Sequence, residues 1–216
     1  MKPVTRLPWA LALAAGLIVT TGAHGATITF SAADFTNVNQ LSTTGTLVEA
    51  INFGNANAPD IELNDVIFEG AGASSDHLSV ESGNAFHNPG VYNPGLPNQN
   101  TTGLSDTDGN KLLDSSVFGL GTGSNLVTLT NLTEDQPYEF QVLLVDDRGG
   151  NEEHTMTFSQ AGGSDPSVGP LDFTSNIVQI ITGSFTADGT TQQFDIARDD
   201  GNNANNAFIN VSFRQA

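Results

Sequence analysis

The stretch YEFQVLLVD, residues 138–146, decides how this chain folds. Tyr138, Phe140, Val142 and Leu144 fall on one side of an extended backbone, an alternation that marks a β-strand with one face against a core. A helix would repeat its apolar residues every three or four positions instead. Upstream, the same period of two predicts strands at ATITF (26–30), TLVEAINF (46–53), DVIFEG (65–70) and NLVTLT (125–130). In the second, Leu47, Ile51 and Phe53 are expected to point one way, and in the third Val66 and Phe68 share a face. Downstream come HTMTFS (154–159), with Met156 and Phe158 inward, IVQIITGSF (177–185), QQFDIAR (192–198) and AFINVSFR (207–214). Many short strands without a sustained helical period predict an all-β fold, an antiparallel β-sandwich of two packed sheets. The 13 Phe residues supply its bulk.

The first 25 residues, MKPVTRLPWALALAAGLIVTTGAHG, read as a secretory signal peptide: Lys2 and Arg6 precede an Ala- and Leu-rich run, and Ala23 and Gly25 are the small residues a signal peptidase accepts. The expected cut lies between Gly25 and Ala26, leaving 26–216 as a single β-sandwich domain, exported to the extracellular space or cell surface, or held in the periplasm. No other stretch approaches the roughly 20 apolar residues of a spanning helix, so no membrane insertion is expected after cleavage.

Past the leader, only Lys111, Arg148, Arg198 and Arg214 oppose 24 acidic side chains. Such a surface repels a phosphate backbone, and nucleic acid is not an expected partner. The absence of Cys removes disulfides and thiolate metal sites, so stability falls to the core, a bound ion or assembly.

One motif has the spacing of a calcium loop. In DTDGNKLLD (106–114), Asp106, Asp108 and Asn110 stand at alternate positions of a curl that Gly109 relieves, with Asp114 placed to bind through water. Lys111 and Val117 occupy positions where an EF-hand would have Gly and a bidentate Glu. The competing reading has Asp108 or Asn110 capping a short helix over KLLDSSVF, with Leu112, Leu113 and Val117 against the sandwich.

Two further acidic groups, VDDRGGNEEH (145–154) and RDDGNNANN (198–206), flank turns between strands. Asp146, Asp147 and Arg148 are the candidate ligand-binding residues of the first. The connection 71–110 holds NPGVYNPG, whose two Pro-Gly turns are expected to present Tyr92 at a loop tip, the position from which loops on rigid sheets bind ligands. The connections 31–45 and 160–175 are expected to be long polar loops. His77, beside Asp76, reads as an exposed residue. No nucleophile elbow or phosphate-binding loop occurs, and Asp146 with Glu152 or Glu153 is the one carboxylate pairing worth naming for glycoside hydrolysis.

The segments GTLVEAINFG, NDVIFEG, KLLDSSVFGLG, VTLTNLTEDQPYEFQVLLVDDR and GSFTADGTTQQFDI together resemble exported bacterial jelly-roll domains of the galactose-binding-like kind. The resemblance spans most of residues 45–213 and implies a jelly-roll-like sandwich that binds carbohydrate on its loops or a concave sheet, with a structural calcium ion. Relatives of this kind carry C-terminal sorting signals, whereas this chain ends VSFRQA, so retention by that route is not expected. The leading expectation is a secreted, non-catalytic domain that binds an extracellular polysaccharide or other polymer. Its alternatives are a matrix or filament subunit assembling as a homo-oligomer through an edge strand such as ATITF (26–30), and a glycan-active enzyme.

Overall fold

The computed structural model of the chain describes residues 25–53, 60–71, 75–81, 85–87, 116–118, 124–144, 155–161, 164–172, 178–198 and 210–216. Their strands are β1 (Thr29–Asp34), β2 (Thr46–Phe53), β3 (Ile61–Leu63), β4 (Val66–Ala71), β5 (Leu78–Glu81), β6 (Ala85–His87) and β7 (Ser116–Phe118). They continue with β8 (Ser124–Thr130), β9 (Pro137–Leu144), β10 (Thr155–Gln160), β11 (Ser164–Asp172), β12 (Gln179–Thr186), β13 (Thr191–Arg198) and β14 (Asn210–Gln215). One sheet runs β1-β12-β9-β14-β2-β4-β3 and packs on a second, β11-β10-β13-β8-β5, while β6 and β7 pair as a separate ribbon. All pairings are antiparallel except β2 with β4. The chain is an all-β sandwich.

The alternation does what its spacing demands over 138–144, the part of the stretch within the described residues. Tyr138, Phe140, Val142 and Leu144 enter the core between the two sheets, joined by Ile51 and Phe53 of β2, Val211 and Phe213 of β14, Val127 and Leu129 of β8, Phe158 of β10, and Phe194 and Ile196 of β13. At the centre the Phe140 and Phe194 rings stack with centroids 4.3 Å apart and planes 2° from parallel. Behind Phe140 lies Gly183 of β12, its cross-strand partner, where an added Cβ would collide with the Phe140 ring. Glycine there lets the large ring lie flat over the neighbouring strand.

A second apolar cluster sits on the outer face of the larger sheet. Leu143 and Ile180, on the opposite parity from the main core, meet Ala50, Ile61, Leu63, Val66 and Phe68 beneath Phe35 and Leu41. The segment 35–45 therefore crosses over this face as a strap containing a 3-10 turn, Val38–Gln40, whose Asn37 and Gln40 form a capping box. The strap is tied down by Gln141, buried on β9: its Oε1 accepts from Ser42 N at 2.7 Å and its Nε2 donates to Gln40 O at 3.1 Å. Asn64 Nδ2 donates to Leu41 O at 3.0 Å from the β3–β4 turn.

Several expectations change. The first strand begins at Thr29 instead of Ala26 and extends into the supposed loop 31–45. Leu47 does not share a face with Ile51: Glu49 lies opposite Phe213 while Leu47 lies opposite Arg214, so Val48 is an extra residue. This β-bulge reverses the alternation, turning Val48 inward and leaving Leu47 37% exposed. The connection 160–175 contains the edge strand β11, despite Pro166 and Pro170, because an edge strand tolerates missing donors. Residues 61–71 form a hairpin whose turn residues Asn64 and Asp65 both have positive φ, as a two-residue turn of the primed type requires. Residues 116–118 are strand, which removes the end of the helix proposed over KLLDSSVF. Among the described residues, no helix is long and apolar enough to cross a membrane.

Candidate functional site

The strand register gives the sandwich two unlike ends. At one end, the turn 131–136 from β8 to β9 and the turn 187–190 from β12 to β13 are stitched together. Leu132 N donates to Thr190 O at 3.1 Å, Asp135 N to Ala187 O at 2.8 Å and Ala187 N to Gln136 O at 2.9 Å. The Tyr138 phenol oxygen accepts from Thr133 N at 2.9 Å, fixing the same turn from the core side. Ala216 N donates to Pro137 O at 3.0 Å, and Gly25 O accepts from Gln160 Nε2 at 2.8 Å, so the described chain starts and finishes at this closed end.

The opposite end is the rim from which the long connections spring. Leu143 of β9 lies opposite Asn210 of β14, and Met156 of β10 lies opposite Arg198 of β13. The connections 145–154 and 199–209 therefore leave and rejoin adjacent strands on both sheets, crossing between the layers in opposite directions. Glu81 of β5 pairs with Leu126 of β8, so the excursion 82–123 also departs and returns here. Asp146, Asp147 and Arg148, together with Tyr92 and the calcium candidates Asp106, Asp108, Asn110 and Asp114, are carried on these connections and lie outside the described residues. What sequence reasoning could not supply was their common base: strand pairing alone puts all three connections at one end.

Among the described residues, the nearest approach to a catalytic grouping is Ser75, His77 and Glu49. Glu49 Oε2 accepts from Ser75 Oγ at 2.6 Å and from His77 N at 3.1 Å, while His77 Nδ1 lies 3.3 Å from Thr130 O. The hydroxyl proton thus goes to a carboxylate and the imidazole to a carbonyl. A nucleophile needs its hydroxyl against the base, with the base oriented by a third group. The arrangement instead fastens the approach to β5 onto β2, and it makes His77 half-buried where the sequence suggested exposure.

Arg214 is the one basic residue whose side-chain surroundings are described. It stands on the outer face of β14 between Glu139 of β9 and Leu47 of β2, only 6% exposed, and its Nε has no hydrogen-bond partner. Burial pushes its pKa below the ordinary arginine value, with the nearby Glu139 charge pulling the other way. A lowered folded-state pKa means the charged form is held less favourably in the fold than in the unfolded chain. That penalty is constant below the folded pKa and is lifted only as rising pH removes the proton. Arg214→Met is accordingly expected to raise stability by about 1–2 kcal/mol at neutral pH, since it removes a buried orphan donor and keeps the aliphatic stem. Thermal melts check this, and a lower melting temperature would show that the guanidinium is held by a favourable contact.

Every aromatic side chain whose surroundings are described is buried or half-buried; the large apolar residues exposed are Leu47 and Ile67. The described sheet faces therefore present no flat aromatic platform. Among the described residues no three metal-ligating side chains cluster. No family model, curated protein or solved structure matches the chain.

Proposed function

We propose that the protein is an exported, non-catalytic binding domain that takes a carbohydrate or another extracellular polymer at the rim of the sandwich. The observation supporting this reading is the polarity of the fold: short turns cross-bonded at one end, and at the other the bases of the connections that carry every candidate contact residue. Rigid sheets presenting variable loops at one end are a general solution to ligand binding. With the described aromatics committed to the interior, contacts fall to polar groups and to Tyr92. A formal charge of −18 directs the choice toward a neutral or cationic polymer, or an anionic one bridged by calcium.

Retention of the purified protein on a panel of immobilised neutral, cationic and anionic polysaccharides tests the reading. Tyr92→Ala and the pair Asp146→Asn, Asp147→Asn are each expected to reduce retention about tenfold or more, the effect of losing about 1.4 kcal/mol of contact. Folded protein retained by none of the panel counts against a polymer ligand, and retention unchanged in both variants counts against the rim.

Calcium at tenfold over its dissociation constant is expected to add about 1.4 kcal/mol, which raises the melting temperature by roughly 3–5 °C. Asp106→Ala or Asp108→Ala removes that rise. Identical melts with calcium and with chelator exclude the ion.

A further inference from the structure

Two sheets in a sandwich have four edges, and three of those described here are poor templates for another strand. The edge strand β3 spans only Ile61–Leu63 and β5 only Leu78–Glu81. The edge strand β11 carries Pro166 and Pro170 and breaks register twice against β10. Short length, proline and bulges are the devices that keep sheet edges from pairing. The fourth edge has none of them. Strand β1 runs Thr29–Asp34 in unbroken register with β12, contains neither Pro nor Lys, and among the described residues has no second strand hydrogen-bonded to it, although β11 of the facing sheet lies against it. Its single charge, Asp34, accepts a hydrogen bond from Gln179 Nε2 at 2.7 Å.

We infer that β1 pairs with β1 of a second copy, joining the two larger sheets into one continuous sheet. The choice of partner rests on charge. In a chain with a formal charge of −18, most surfaces meet their own copy with like charges opposed. Residues 29–33, TFSAA, are uncharged, so the edge can meet itself without that repulsion, and main-chain hydrogen bonds supply the affinity. A two-fold axis perpendicular to the sheet makes the pairing antiparallel and closes the assembly at two copies. Because β1 begins at the closed end, with Thr29 opposite Ser184, and finishes at the rim, with Asp34 opposite Gln179, antiparallel pairing sends the two rims in opposite directions. This inference is independent of what the rim binds.

The test is the mass of the processed, exported protein by sedimentation and light scattering across a concentration series. A dimer is expected, strengthened by salt as the residual like-charge repulsion is screened. Ser31 and Ala33 are exposed on β1, so Ser31→Asp with Ala33→Asp places carboxylates across the two-fold at little cost to the monomer. The dissociation constant should rise at least tenfold while the circular dichroism spectrum and the melting of the monomer are kept. Ile67→Asp, which charges the exposed apolar residue on β4 at the far side of the sheet, should leave the dimer intact. A wild-type protein that is monomeric at every concentration overturns the proposal. So does a dimer that survives the β1 substitutions or that dissociates on charging Ile67.

Discussion

Phe140→Ala is expected to destabilise the fold by about 3–5 kcal/mol, lowering the melting temperature by roughly 10–15 °C. The ring is held from both sides: Phe194 of the opposite sheet stacks on one face and Gly183 of the neighbouring strand leaves space for it on the other. Phe30 adds an edge contact with centroids 6.1 Å apart. Truncation removes the stacked pair, worth about 0.5–1.5 kcal/mol beyond its area, and opens a cavity that three strands line. Because whole domains are stable by only about 5–15 kcal/mol, a single ring here is a large share of the total. Urea melts give the number directly. A loss below about 1 kcal/mol with an unchanged denaturant slope would show that residue 140 does not sit where the two sheets share their core.

The second large effect is expected at Gln141, the next residue along the same strand and on its other face. Gln141→Ala removes the acceptor for Ser42 N, the donor to Gln40 O and a longer contact with Thr182 Oγ1 at 3.4 Å. Two backbone groups of the strap are then left without partners over a buried surface. At roughly 1–3 kcal/mol for each unsatisfied buried group, the total is about 2–4 kcal/mol once partial rehydration is allowed. The damage should be local: hydrogen exchange at Ser42 accelerates while the amides of β9 and β12 remain protected to near the global limit. Gln141→Glu separates the two halves of the clamp, because a carboxylate still accepts from Ser42 N but no longer donates to Gln40 O. It should fall between wild type and Gln141→Ala. Equal exchange at Ser42 in all three proteins would show that the strap is held by Phe35 and Leu41 alone.

Much of the sandwich was legible because half-buried strands write their environment into alternate residues. The segment 46–53 coincides with β2, the core-facing sides of β9, β10 and β13 are the ones their apolar residues indicate, and Val66 and Phe68 share a buried face of β4 as expected, on the outer side of the sheet. Local pattern failed where the governing event lies elsewhere in the chain. The bulge at Val48 depends on how β14 registers against β2, so Leu47 was assigned to the wrong face. Strand β11 is mostly Ser, Asp, Pro and Gly, and its two core-contacting residues, Val168 and Leu171, are three apart instead of alternating, since at an edge it needs only one partner. The strap was hidden because Phe35 and Leu41 read as isolated apolar residues in a polar loop until the outer face of the larger sheet is there to receive them. The site residues pose a different problem. Contact chemistry on connecting segments has no period, and the connections that carry Asp106, Tyr92 and Asp146 share a base only through pairings between strands far apart in sequence.

The hydrogen bonds from Gln160 to Gly25 and from Ala216 to Pro137 have a practical bearing on presentation. Any polypeptide joined ahead of residue 25 or after residue 216 departs from the end remote from the acidic connections. A carrier, a display scaffold or a neighbouring module fused at either terminus would hold the domain by its closed end, opposite the end where strands β5, β8, β9, β10, β13 and β14 open into the connections 82–123, 145–154 and 199–209.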